Sequence, residues 1–418
     1  MKAIRFSKDL RRDAFTLLIV STGIYPTPPR GYGGGERVIF NFSKSIATLG
    51  YRVALVDYTT HGDTTITYSR QDKLLIFKLH IPIHPHPRVK LILYFLDSLI
   101  FSIFFLINYI RIKKTCTNVN VIVFFNPFAN LLYHFFIRWF DQWFSRPLII
   151  HSIASPRLMI FNRLSTYQKL FFFATDILAG HLSDLVRLES VAVYNQISRY
   201  LEKWKKKVIV IPNGVNLKEF EVEQFVNCKP DPLLIVYAAR ISPQKNQIVV
   251  VRSISEVVKR YPNVRVLLIG DPEDISYAKA VKNEINKLNL AKNVLMIPGV
   301  SYNQLKRIYA KSAIHLVFSK YTGFDVALGE NLATQRAIIA SSIPAVDSIL
   351  YDRVNCLLVK PNDPNELAKA IIELIENDQL RNKISNGARK TCEEYLNWAK
   401  LAESFMTKIF EILGKNAK

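Results

Sequence analysis

The sequence predicts an α/β protein of two doubly wound, Rossmann-like domains, and three observations carry that expectation. The chain has 418 residues, too many for one core of ordinary size and enough for two domains of about 200 residues. Short apolar runs alternate with periodic amphipathic stretches along its length, as in successive βαβ units. Several of the runs lead straight into turns rich in glycine, the place where open α/β sheets bind ligands.

Phe15–Val20 is continuously apolar, as expected of a strand buried on both faces of a parallel sheet. A loop rich in Pro and Gly follows to Gly35. Glu36–Leu49 then has helical spacing, with Val38, Ile39, Phe42 and Ile46 on one face and Gly50 as its stop. Arg52–Val56 is the second strand and closes a βαβ unit. Further strands are expected at Leu74–Lys78, Asn120–Phe125, Leu148–Ile150, Ile177–Ala179, Val191–Tyr194 and Val208–Ile211. Asp231 and Pro232 fall in the expected connection to a second domain. There, Leu233–Ala238, Arg265–Ile269, Val294–Ile297, Ile314–Phe318, Ala337–Ala340 and Cys356–Val359 read as strands, alternating with helices such as Asn365–Glu376. A last helix starts near Leu396. The expected division is 1–225, 226–395 and a terminal helix over 396–418.

Charge bounds the partners. Lys and Arg total 56 against 34 acidic residues, a formal net charge of +22. Such an excess calls for nucleic acid, an anionic membrane surface or a phosphorylated substrate. The 26 Phe and 19 Tyr favour the membrane, and no nucleic-acid recognition motif is present. Cys116, Cys228, Cys356 and Cys392 are scattered, with no CxxC and no clustered His. That argues against a zinc site or a disulfide framework and fits a reducing, cytoplasmic setting.

Leu91–Ile110 is long enough to span a bilayer and carries Asp97 as its single charge. A span there would separate the first two strands from the rest of their own sheet. The expectation is instead a helix lying on the membrane face or buried against the sheet, flanked by Arg88, Lys90, Arg111, Lys113 and Lys114. Aromatic-rich stretches at 133–144 and 167–173, and the basic cluster Lys203, Lys205, Lys206 and Lys207, extend that reading.

Three motifs carry chemistry. Gly33, Gly34 and Gly35, ahead of Glu36, let backbone N–H groups approach a phosphate or a sugar closely; the alternative is a tight loop with no ligand. A dinucleotide fingerprint needs glycine where Glu36 stands, so that pattern fails. Asp57, at the end of the second strand, keeps an oxidoreductase as a rival. Arg240 and Lys245 follow a buried strand and precede a helix, a placement of two cations that suits a diphosphate. Thr322, Gly323, Phe324 and Asp325 form a turn running into a helix that bears Glu330.

On these residues the chain resembles the family-4 retaining glycosyltransferases, two-domain enzymes of the GT-B fold that use nucleotide-sugars. Arg240, Pro243, Lys245 and Asn246 match the family's R-x-x-P-x-K-N. Gly323, Phe324 and Glu330 match its E-G-F-G-x-x-x-x-E, where Thr322 replaces the first glutamate and Asp325 the second glycine. The glycine loop with Glu36, the turn Pro212–Val215, Gly270 after its strand, and His151 are further matches.

The resemblance implies that Arg240 and Lys245 stabilise the diphosphate leaving group and that Glu330 holds the ribose hydroxyls. It implies that His151 and the loop Gly33–Glu36 face the donor sugar, and that Asn213, Gly214 and Gly270 line substrate-binding turns. Asp325 is the candidate for the sugar-side contact that Thr322 cannot make. Also implied are a cleft between the domains, a C-terminal helix crossing back to the first, and transfer with retention without a metal or other cofactor. The implied partners are a nucleoside-diphosphate-sugar and a lipid-linked glycan acceptor at the cytoplasmic face of a membrane. Thr322 supports a second reading, a catalytically silent relative acting as a binding or scaffold protein.

Overall fold

The computed structural model describes residues 15–22, 34–59, 64–69, 74–81, 92–116, 118–144, 146–153, 166–198, 206–220, 228–320, 326–344, 346 and 348–416. They divide into two compact units, each built on its own sheet.

The first unit runs to Pro212 and regains the chain at Trp398. Its strands are β1 (Thr16–Val20), β2 (Arg52–Thr59), β3 (Thr65–Ser69), β4 (Leu74–His80), β5 (Val119–Phe124), β6 (Leu148–Ile153), β7 (Leu185–Leu188) and β8 (Val208–Val210). They lie in the order β3-β4-β2-β1-β5-β6-β7-β8, all parallel except the edge strand β3. Every residue of β1 is buried, which is why its sequence is an unbroken apolar run. The helices are α1 (Gly34–Thr48), α2 (Ile92–Cys116), α3 (Pro127–Phe136), α4 (Arg138–Phe144), α5 (Thr166–Leu182) and α6 (Val191–Ser198). The C-terminal helix Trp398–Asn416 packs on α1, with the Phe42 ring 4.9 Å from Phe405 and 5.8 Å from Trp398.

Two expected strands are helices. Ile177–Ala179 lies inside α5, whose buried Thr175, Asp176, Ala179 and Gly180 recur at helical spacing. Val191–Tyr194 opens α6, because the Ser190 hydroxyl accepts the Val193 N–H and caps the first turn. That cap outweighs the β propensity of two valines. The strand the sequence missed is β7, only four residues long and interrupted by the buried Arg187. The antiparallel β3, which exposes Thr65, Ile66 and Thr67, was missed as well.

The second unit spans Asn213–Asn397, so the chain leaves the first unit at Pro212, ahead of the expected boundary at 225. Its strands are β9 (Asp231–Ala238), β10 (Arg265–Ile269), β11 (Val294–Ile297), β12 (Ser312–Val317), β13 (Ala337–Ser341) and β14 (Leu357–Val359). Asp231 and Pro232, expected in the connection, begin β9. Its helices are α7 (Gln247–Val257), α8 (Ile275–Lys287), α9 (Tyr302–Lys311), α10 (Val326–Ala333), α11 (Pro364–Glu376) and α12 (Asp378–Tyr395). The sheet is wholly parallel in the order β11-β10-β9-β12-β13-β14, with an apolar cluster on each side. From β9 the chain first winds outward through β10 and β11, then returns to place β12 on the other side of β9. The order reverses between β9 and β12, and that point positions the site.

Candidate functional site

In a doubly wound sheet the loops on either side of the reversal splay apart at the carboxyl edge and leave a crevice. Here those loops follow β9 and β12, and they are tied together. The Tyr237 hydroxyl lies between the carbonyl oxygens of Lys245, at 2.6 Å, and Phe318. The Lys320 N–H donates to the Gln244 carbonyl at 2.9 Å. Residues 240–245 therefore lie beside the segment leading toward Thr322, Gly323, Phe324 and Asp325, which are outside the described residues.

Neighbouring strand ends hold the same loop. Asn246 adopts a left-handed backbone, with φ 53°, and its side-chain amide donates to the Pro361 carbonyl beyond β14 at 2.5 Å. Asparagine suits that position because its short polar side chain tolerates the conformation. Gly270, at the end of β10, has φ 153°, and a Cβ there would lie 2.2 Å from the Ala239 oxygen. Glycine is required for the β9 and β10 loops to approach so closely. Gly270 thus has a structural duty that sequence reasoning did not assign it.

The two cations differ. Lys245 is 8% exposed, folded into the loop. The Arg240 side chain is half exposed, and its Nη1 donates to Glu273 Oε1 at 2.7 Å. α7 begins only at Gln247, so both residues sit in the loop before the helix rather than in its first turn. Glu330 is the fifth residue of α10 and is 6% exposed. The preceding Gly329 packs so closely on Val215 that a Cβ would lie 2.7 Å from its Cγ2. The turn carrying buried Asn213 and Gly214 is therefore seated against α10, next to Glu330.

In the first unit, Gly33 lies outside the described residues, Gly34 starts α1, and a Cβ on Gly35 would meet nothing within 4 Å. Glu36 is buried in the first turn of α1 and accepts from the Thr22 hydroxyl at 2.9 Å. His151 sits within β6, fully buried. Its Nε2 is 3.3 Å from Asp176 Oδ1 on α5, and its Nδ1 has no hydrogen-bond partner among the described residues. Asp57 is wholly buried and accepts from the Ser21 hydroxyl at 3.0 Å, so it is not presented to a ribose. That removes the feature on which an oxidoreductase rested. Among the described residues no three His, Cys, Asp or Glu side chains gather as a metal-ligand set.

Sequence reasoning missed Glu273, Asp176 and Tyr237. Glu273 carried a signal, since it follows a strand end and the glycine at 270. The other two belong to a helix and a strand interior, where nothing in their neighbours marks them.

Residues 219–391 match the family described as glycosyl transferases group 1. An uncharacterized glycosyltransferase of Methanocaldococcus jannaschii is 26% identical over 270 residues, which is 65% of this chain and 70% of that protein. The phosphatidyl-myo-inositol mannosyltransferase of Mycolicibacterium smegmatis is 24% identical over 65% of this chain and 69% of its own length. Among solved structures, sucrose-phosphate synthase from Thermosynechococcus elongatus superposes with a TM-score of 0.76 at 18% identity, covering 96% of this chain and 99% of that one. Anabaena HepE in complex with UDP-glucose gives 0.68 at 15% identity, covering 95% and 99%. The second unit carries a group 1 glycosyltransferase domain, the fold is GT-B, and the chain is a glycosyltransferase by class.

Proposed function

We propose that this enzyme moves a sugar, with retention, from a nucleoside-diphosphate-sugar to a hydroxyl of a lipid-linked glycan acceptor, working on the cytoplasmic face of a membrane. The observation that carries the donor half is the strand-order reversal between β9 and β12. It gathers Arg240, Lys245 and the approach to Thr322 at one carboxyl edge, with Glu330 on the helix that follows. The likeness to a protein crystallised with UDP-glucose supports the donor class, and the named substrate of the mycobacterial relative supports a lipid acceptor.

In this reading Arg240 and Lys245 offset the charge that builds on the diphosphate as the glycosidic bond breaks. Losing such a donor typically costs on the order of 10²–10³ in rate. Arg240 exchanges Glu273 for a phosphate oxygen when the donor binds. Glu330 accepts from the ribose hydroxyls, and Asp325 takes the sugar-side contact that Thr322 cannot make. The donor's own phosphate oxygen accepts the acceptor proton, so neither a protein base nor a metal is needed. Calorimetric titration with UDP and GDP, followed by turnover with the matching nucleotide-sugars, tests the reading. Binding without turnover across the donor panel would favour the second reading, a silent relative, for which Thr322 is the specific observation.

A further inference from the structure

The membrane partner in that proposal has a candidate surface, built from the same segments the sequence pointed to but with α2 half buried beneath it. The buried side of α2 carries Phe101, Phe105 and Tyr109, pressed against the sheet of the first unit. Its other side exposes Ile107 at 71% and Ile110 at 63%. Strand order explains what lies beside it. The crossovers β4→β5, β5→β6 and β6→β7 all advance in one direction across the sheet, so right-handed connections put α2, α3–α4 and α5 on one face. α2 packs on α3, and α3 on α4 and α5. The crossover β1→β2 runs the other way, which places α1 on the opposite face. The outer sides of α2, α3–α4 and α5 therefore form one surface, and it is apolar. Phe136, Trp139, Phe140 and Phe171 are all exposed on it.

This surface is built, not frayed. Asp141 of α4, only 1% exposed, accepts from Tyr109 Oη of α2 at 2.5 Å and Tyr133 Oη of α3 at 2.8 Å, and pairs with Lys113 of α2. That buried carboxylate pins the α3–α4 corner onto α2 from beneath, holding Trp139 and Phe140 outward.

The charge is arranged to match. Arg111 and Lys114 end α2 just before β5, Arg146 precedes β6, and Lys206 precedes β8; all four are exposed. Each stands at the amino edge of the same sheet, so one margin of the apolar surface is a basic rim. An aromatic face with such a rim is complementary to the headgroup layer of an anionic bilayer. No described helix is long and apolar enough to cross a membrane.

We propose that the α2–α3–α4–α5 face of the first unit seats the enzyme on an anionic bilayer, with Trp139 and its aromatic neighbours at the acyl boundary and the amino-edge rim on the headgroups. This deepens the functional reading and rests on it only for the identity of the acceptor.

The full chain is mixed with vesicles of phosphatidylcholine alone or with phosphatidylglycerol, and binding is read by sedimentation and by quenching of tryptophan fluorescence by brominated lipid. The expected result is salt-sensitive binding to the anionic vesicles. The triple variant F136S/W139S/F140S should weaken it by at least about tenfold, and R111Q/K114Q/K206Q should weaken it most at low salt. Nucleotide titration of the same samples, expected to be unchanged, checks that the variants are folded and reads the donor site independently. No binding by the parent chain, or equal binding by the aromatic variant, overturns the proposal. A parent that dimerises without binding vesicles, and that the variant makes monomeric, assigns the face to a second copy and also overturns it. Vesicle binding without nucleotide binding upholds the face and sinks the donor reading.

Discussion

At the level of single residues, the ion pair between Arg240 and Glu273 makes the donor proposal quantitative. An exposed pair of this kind is worth about 0.2–1 kcal/mol, so Glu273→Gln should tighten nucleoside-diphosphate binding by no more than about fivefold. Arg240→Ala and Lys245→Ala should each lower turnover by more than about tenfold with thermal stability unchanged. Near-parental rates in both variants would show that the loop does not hold the diphosphate. Glu330→Gln should weaken nucleotide binding by about 1–3 kcal/mol, the usual cost of losing a charged acceptor. Asp325→Asn should lower turnover while leaving affinity for the free diphosphate intact. That Arg240 and Lys245 follow a strand and that Glu330 rides on a helix was legible, because both placements rest on local periodicity. Asp176 and Tyr237 were not, because a partner brought in from another element leaves no local pattern, whereas Glu273 follows a strand end and Gly270 and could have been noticed.

Elements show where local signals compete. Ile177–Ala179 and Val191–Tyr194 have strand composition, yet helical burial in one and the Ser190 cap in the other decide for helix. The apolar runs of β1, β9 and β10 left no such choice and were read as strands, with β9 starting two residues earlier than expected. Contacts between elements also set stability. Gly270→Ala would drive a methyl against the Ala239 carbonyl in a backbone conformation that L-residues rarely adopt. It should cost on the order of 2 kcal/mol or more, read as a lowered unfolding midpoint. In β12, burial first and Arg336 second push the His315 imidazole down to about 3. Its unfolded value is about 6.5, so below that pH the unfolded chain takes up a proton that the folded one refuses. Stability from His315 is therefore complete above about 6.5 and is lost as pH falls toward 3, at about 1.4 kcal/mol per pH unit. Denaturation of the parent and of His315→Gln across pH 4–7 should show a flatter dependence in the variant. Equal slopes would mean that His315 is not held neutral.

For the whole molecule, the sequence announced two α/β units but could not announce their strand orders, which depend on pairings between residues far apart in the chain. Those orders matter most: one puts the β9 and β12 loops side by side, the other lines up the four described helices of three crossovers, α2 to α5, on one face with apolar side chains exposed. The excess charge of +22 was legible at once, but the shared place of Arg111, Lys114, Arg146 and Lys206 at the amino edge of the first sheet was not. Sugar transfer from a nucleoside-diphosphate donor is the central claim. The most direct measurement incubates the full chain with UDP- and GDP-sugars and a lipid-linked acceptor on anionic vesicles. Nucleotide release is followed, and the anomeric proton of the product is assigned by NMR. The expected result is release matched by a product with the donor's own anomeric configuration, lost in Arg240→Ala and Lys245→Ala. Release with the opposite configuration, or undiminished turnover in both variants, would contradict it.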